Sequence, residues 1–188
     1  MKKDIGSSII YYVLIMALIG MVCLLASYVI RMKVVGIINE NAQDSVALSN
    51  LASALIDADE YSRSGIIKVK DIDTSYSIYE DALRENMNLS IDMYPSNSSY
   101  ITSKIDVLEF SIYNVEGLDI THIRRSESNG TYLVETIFYD GQLGILQTPD
   151  GVIITNTTIY SKVGFTIRGF MNSEHYVCKE GCVDIVNN

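Results

Sequence analysis

The sequence predicts an α+β protein: one long N-terminal helix, apolar in its first half and amphipathic in its second, laid on an antiparallel sheet, with one short extra helix beside it. Three observations predict it. Ile5 to Ile30 run for 26 residues without a charge. Apolar residues then continue at helical spacing. Beyond Met87 the pattern changes to branched and aromatic runs separated by turn residues.

The most apolar part, residues 9–30, spans about 33 Å as a helix, against a hydrocarbon core of about 30 Å. It is therefore expected to lie in a lipid bilayer. Tyr11 and Tyr12 near one end and Tyr28 near the other suit headgroup depth, in a chain that carries 13 tyrosines. Lys2 and Lys3 resemble the basic region of a secretory signal, but the apolar part is longer than a signal needs, and Leu24 and Leu25 crowd the cleavage positions before Ser27. An uncleaved anchor is the better expectation. Cys23 follows the bulky Val22 rather than the small residue a lipobox requires, and reads as an apolar helix side chain. Lys2 and Lys3 before the span nearly balance Arg31 and Lys33 after it. The cysteine pair near the C-terminus, treated below, tips the expectation to a single-pass plasma-membrane protein with a cytoplasmic N-terminus and its bulk outside.

The chain has 188 residues and a formal net charge of −9. Residues 1–33 hold four basic residues against Asp4, a charge of +3, so residues 34–188 carry −12. So acidic a domain repels phosphate backbones, which excludes nucleic acid as the expected partner. The remaining length suits one compact domain. The expected division is a basic leader at 1–6, a transmembrane helix at 7–30, its amphipathic continuation at 31–60, and an extracytoplasmic α+β domain at 61–188.

In the continuation, Val34, Ile38, Val46, Leu48, Leu51, Leu55 and Ile56, with Ala42, Ala47 and Ala52 between them, are read as one apolar stripe reaching about Ala58. Gly36 marks the junction. After Ser64-Gly65, residues 66–69 are a candidate strand. Asp73 is the expected N-cap of a surface helix ending near Asn86, with Tyr76, Tyr79, Ala82, Leu83 and Met87 on one side. Residues 89–94, 105–115, 119–125, 131–139 and 159–170 are rich in strand formers. The turn residues Pro95-Ser96-Asn97, Glu116-Gly117, Ser128-Asn129-Gly130, Asp140-Gly141 and Pro149-Asp150-Gly151 divide them, which describes a meander. In the last run Ile159, Val163, Phe165 and Ile167 alternate with Thr158, Tyr160, Lys162, Thr166 and Arg168, so one sheet face is expected to be buried under the long helix.

Cys178-Lys179-Glu180-Gly181-Cys182 lies between two apolar arms and reads as a hairpin whose cysteines form a disulfide, with free thiols the alternative. His175, Cys178 and Cys182 also have metal-ligand character, but only Asp184 offers itself as a fourth ligand, and no metal is expected. His122 lacks a serine or cysteine motif and reads as a surface or edge residue. Asp57-Ala58-Asp59-Glu60 and Asp71-Ile72-Asp73 lack the glycine turn and closing glutamate of a calcium loop, and read as a helix end and an N-cap. Four Asn-x-Ser/Thr sequons stand at Asn88, Asn97, Asn129 and Asn156. Hydrolase, zinc-protease, phosphate-loop and dinucleotide fingerprints are all missing from the sequence, so neither catalysis nor a cofactor is expected.

Lys2-Lys3-Asp4-Ile5-Gly6, followed directly by Ser7-Ser8-Ile9-Ile10-Tyr11-Tyr12, resembles the leader of type IV pilin-like proteins, over roughly the first 60 residues. The resemblance implies a prepilin peptidase that cuts between Gly6 and Ser7 and a mature helix that packs among other pilin-like subunits. The Tad branch places a glutamate and then a tyrosine or phenylalanine where this chain has Tyr11 and Tyr12, so the aromatic matches and the carboxylate does not. In major pilins that carboxylate, costly in lipid, helps draw the subunit into register. Its absence points to a minor, TadE- or TadF-like pilin or pseudopilin. The other class in play is a single-pass anchored binding or sensor domain, in which the helix only tethers.

Overall fold

The computed structural model describes residues 4–97, 100–128 and 131–186. Helix α1 spans Asp4–Ala52, 49 residues, about 73 Å at 1.5 Å per residue. Its first half is long and apolar enough to cross a membrane, and every residue from 9 to 33 is exposed. The second half runs along a five-stranded antiparallel sheet.

α1 stops short of Ala58. The Ser53 hydroxyl donates to the Asn50 carbonyl at 2.8 Å, and the Leu55 amide donates to Ser53 O at 2.8 Å, which turns the chain out of the helix. Asp57 then opens a separate short helix, α2 (Ala58–Ser64), its carboxylate accepting from the Asp59 and Glu60 amides at 3.1 Å. These bonds hold the Asp57 carboxyl below its usual range. Gly65, at φ 73, closes α2 in the left-handed conformation that a glycine adopts without strain. The strand expected at 66–69 reduces to one antiparallel bridge, Ile56 to Val69.

Helix α3 (Ile72–Met87) is capped by Asp71, with Asp73 inside the first turn. It lies on the domain surface with one face packed inward, and Asp73, Thr74, Ser77, Asp81 and Glu85 face out. Tyr79 and Leu83 are fully buried, and Tyr76 nearly so. The Tyr79 ring lies 5.1 Å from that of Phe110, so α3 covers the sheet beside α1. Residues 89–94 turn instead of forming a strand, with Leu89 bridged to Pro95.

The strands are β1 (Asp106–Glu116), β2 (Asp119–Ser128), β3 (Thr131–Tyr139), β4 (Thr157–Arg168) and β5 (Glu174–Ile185). Their order is β3-β2-β1-β4-β5, every neighbour antiparallel. Only β1 to β3 form the expected meander. A two-residue turn at Gly117-Leu118, with Gly117 at φ 64, joins the first pair. Asn129-Gly130 lies outside the described residues. From β3 the chain crosses back to place β4 against β1, and residues 140–156 fold over the outer face on the way.

The C-terminal segment corrects the sequence reading. Residues 174–185 form one unbroken strand, paired with β4 from Arg168↔Glu174 to Thr157↔Ile185. The turn that was expected at Gly181 falls earlier, where the Gly169 amide donates to Ser173 O. Cys178 and Cys182 therefore sit four positions apart on one strand, about 13 Å at 3.3 Å per residue. A disulfide requires Cα atoms within about 7 Å, and both cysteines are free thiols.

The main core lies between the helices and the inner sheet face. Ala42 and Val46 of α1 and Tyr76, Tyr79 and Leu83 of α3 meet Phe110, Ile112, Ile159, Val163 and Phe165. The outer face is not simply wet. Tyr113, Ile120, Ile154 and Tyr160 make a second cluster under the 140–156 connection.

Candidate functional site: the free face of the long helix

Beyond residue 33, α1 has two faces, and they are packed the opposite way from what hydropathy implies. Toward the domain it buries Ala42, Ser45, Val46, Ser49, Asn50 and Ser53. Away from it stand Ile37, Leu48, Leu51 and Leu55, between 41% and 58% exposed. At 3.6 residues per turn the three on α1, Ile37, Leu48 and Leu51, fall within roughly 60° of arc, and Leu55 follows just past the end of the helix. The single stripe read from the sequence is thus split: Val46 points inward, Leu48 outward, because two residues of helix turn the chain through about 200°.

The buried polar face has a physical basis. Small side chains at 42, 45, 49 and 53 let the helix axis approach the sheet. Their hydroxyls need no outside partner, because Ser45 donates to Asn41 O at 2.7 Å, Ser49 to Ser45 O at 2.6 Å and Ser53 to Asn50 O at 2.8 Å. Two longer amides fasten the helix to β5: Gln43 Nε2 donates to Glu180 O at 2.7 Å and Asn50 Nδ2 to Gly181 O at 2.8 Å. A Cβ at Gly181 would stand 3.4 Å from that Gln43 nitrogen and 3.8 Å from Val46, ordinary contact distances. At the junction Arg31 Nη1 donates to Gly169 O at 3.4 Å. The outward leucines have no comparable cover.

The bond between Gly6 and Ser7 falls in the first turns of α1, which begins at Asp4. Lys2 and Lys3 lie outside the described residues. Tyr11 and Tyr12 project from the apolar half and are exposed. His175 lies on the opposite side of β5 from Cys178 and Cys182, as odd and even strand positions must. The three do not converge, and no group of three metal-ligating side chains occurs among the described residues. Burial pushes the Cys182 thiol up to about 11, which leaves it protonated and unreactive near neutral pH.

His122 is a further correction. β2 is an inner strand, and His122 is buried, its ring stacked 4.1 Å from that of Tyr113. Burial, aided by Arg124, pushes its pKa down to about 4, so it is neutral and part of the outer cluster. The polar groups beside it are paired in place. Arg124 bridges Glu109 at 3.1 Å, and Glu180 accepts from Tyr160 at 2.9 Å and from Lys162 at 3.0 Å. Of the sequons, Asn88 caps α3 at φ 51, Asn97 is exposed, Asn156 is half-buried and Asn129 lies outside the described residues.

The sequence reading missed the serine face. Its signal was present: Ser45, Ser49 and Ser53 recur at a spacing of four, next to Ala42 and Val46. Small residues at helical spacing mark close approach as much as large ones mark burial. No family model, no curated protein and no solved structure matches the chain.

Proposed function

We propose that this chain is a membrane-anchored, non-enzymatic subunit of a filament or secretion apparatus that assembles through its long helix. In kind it is a type IV pilin-like, Tad-type minor pilin or pseudopilin. The observation that carries the reading is the row Ile37, Leu48 and Leu51, left uncovered on a helix whose lower half is apolar all round. Apolar rows of this kind are covered by other helices in assemblies. In lipid the helix stores the subunit in the plasma membrane, with the N-terminus in the cytoplasm and the sheet outside. In the assembled state the row meets the helices of other pilin-like subunits. The acidic sheet domain, repelled by phosphate backbones, rides on the outside.

A prepilin peptidase is the implied processing partner. The Gly6 to Ser7 bond lies in the first turns of α1, near the end where helices fray, and Gly6 weakens helix there by about 1 kcal/mol relative to alanine. Expressed in a host that carries such a peptidase, the mature protein is expected to begin at Ser7. Gly6→Ala is expected to leave nearly all of it uncut, as read by N-terminal sequencing and intact mass. The competing reading, a single-pass anchored binding or sensor domain, draws on Tyr11, which stands where filament subunits of this kind carry a carboxylate. It predicts an intact N-terminus in both proteins, and that result would replace the first reading with the second.

A further inference from the structure

We propose that the turn between β4 and β5, with Met171 at its tip, docks the folded domain onto the headgroup layer of the same bilayer that α1 crosses. The inference rests on the reading of residues 9–30 as a membrane span. It adds that the domain itself touches lipid.

The height of the turn is set by α1. Arg31 follows Ile30, the last residue of the apolar run, and its Nη1 donates to Gly169 O at 3.4 Å. Gly169 opens the turn, and its amide closes it by donating to Ser173 O at 2.7 Å. The turn therefore begins within one side-chain length of the place where α1 leaves hydrocarbon. It is also the lower end of this part of the sheet. From Arg31 to Gln43 α1 rises about 18 Å. From Glu174 to Glu180, where Gln43 meets it, β5 rises about 20 Å. Helix and strand climb together, and the turn hangs beneath them at headgroup depth.

The tip is apolar and held outward. Met171 is 81% exposed, more than any large apolar side chain from Ile9 to Met32. Its backbone stands at φ 55 and that of Asn172 at φ 62, in the left-handed region that asparagine tolerates and methionine seldom enters. Strain that turns an apolar side chain away from the core does nothing for the fold, and points to a contact outside it.

Charge and proximity select lipid as that contact. Arg31 stands on the α1 side of the sheet, and Arg168 on the face opposite the buried Ile167. Lys33 lies two residues beyond Arg31. All three are exposed, and none has an acidic partner among the described residues. Against them stands Glu174, opposite Arg168 in the β4–β5 register, so the excess at the base is two positive charges. Residues 34–188 as a whole carry −12. An anionic surface attracts such a body at its base and repels it elsewhere, so the domain stands on the turn instead of lying flat. The span holds the turn beside lipid permanently, ahead of any soluble partner.

The chain contains no tryptophan, so one introduced indole reports its own surroundings. Ile19→Trp in the apolar half, Met171→Trp in the turn and Leu118→Trp are made in the full chain. Leu118 is 68% exposed and joins β1 to β2 at the other end of the sheet, beyond Thr158, itself about 33 Å from Arg168 along β4. Since tryptophan favours interfaces by itself, the change at Leu118 measures that bias. Each protein is placed one chain per nanodisc in phosphatidylglycerol-containing lipid, with acyl chains brominated near the headgroup or near the chain end, or unbrominated. Met171→Trp is expected to lose about half of its fluorescence to the shallow bromines, Ile19→Trp as much to the deep ones, and Leu118→Trp about a tenth or less to either. Arg168→Glu with Lys33→Glu, added to Met171→Trp, is expected to remove most of its quenching. Quenching at 19 without quenching at 171, equal quenching at 171 and 118, or quenching at 171 that the charge changes leave intact would each overturn the docking turn while the span stands. No quenching at 19 would overturn both.

Discussion

Glutamate at both Leu48 and Leu51 is expected to abolish association through α1 while leaving the domain folded. Both side chains are more than half exposed, so the folded subunit loses little when they change. In the proposed assembly they are covered. Burying what remains of each leucine is worth about 1 kcal/mol, and two carboxylates forced into the same place cost more than that. Together these weaken each helix contact by about 3 kcal/mol or more, over 100-fold in affinity. Sedimentation of the detergent-solubilised chain, with and without the substitutions, reads this as a shift from oligomer to a smaller species. Unfolding temperatures of the two proteins are expected to agree within about 2 °C. An unchanged oligomer distribution would mean that the leucine row meets no other helix.

Ser49→Leu is expected to produce the opposite pattern, a damaged fold. Ser49 is fully buried where α1 meets the domain, within 3.4 Å of the Asn86 amide. Three extra carbon atoms there push α1 off the sheet and strain the Gln43 and Asn50 bonds to β5. Overpacking of this kind costs about 1–3 kcal/mol, or about 3–10 °C in unfolding temperature for a domain of this size. A helix prized off the sheet also uncovers part of its apolar inner face, so aggregation is expected to accompany the loss. Leu48→Ser, one position away, is expected to be neutral within about 0.5 kcal/mol. By hydropathy alone the order should be reversed, serine to leucine improving a helix face and leucine to serine harming it.

That reversal marks where the sequence could be read and where it could not. The long helix was legible from its charge-free run and β1 to β4 from branched and aromatic runs between turn residues, with a period of two along residues 159–167. So was the apolar face of α3. Tyr76, Tyr79 and Leu83 define a face, but only the packed structure shows that the sheet lies under it. The C-terminal hairpin failed because a glycine between two cysteines looks like a turn. In the fold, Gly181 is a strand residue of β5 paired with Ser161 of β4. The free face of α1 was missed because Val46 and Leu48 were counted in one stripe, although they point nearly opposite ways. Periodicity finds the helix, but deciding which of two good faces is used requires knowing that hydroxyls can satisfy themselves on the preceding turn.

Thiol labelling along α1 tests the central claim most directly. Single cysteines placed in turn at 45, 48, 49, 51 and 53 of an otherwise cysteine-free chain are exposed to a water-soluble maleimide, as detergent-separated subunits and in native membranes. The free-face account predicts fast labelling at 48 and 51 and slow labelling at 45, 49 and 53 in separated subunits, with 48 and 51 becoming protected in the membrane. Slow labelling at 48 and 51 in separated subunits would show that the domain itself covers the leucines. Unchanged fast labelling there in membranes would show that nothing else does. Either result contradicts the account.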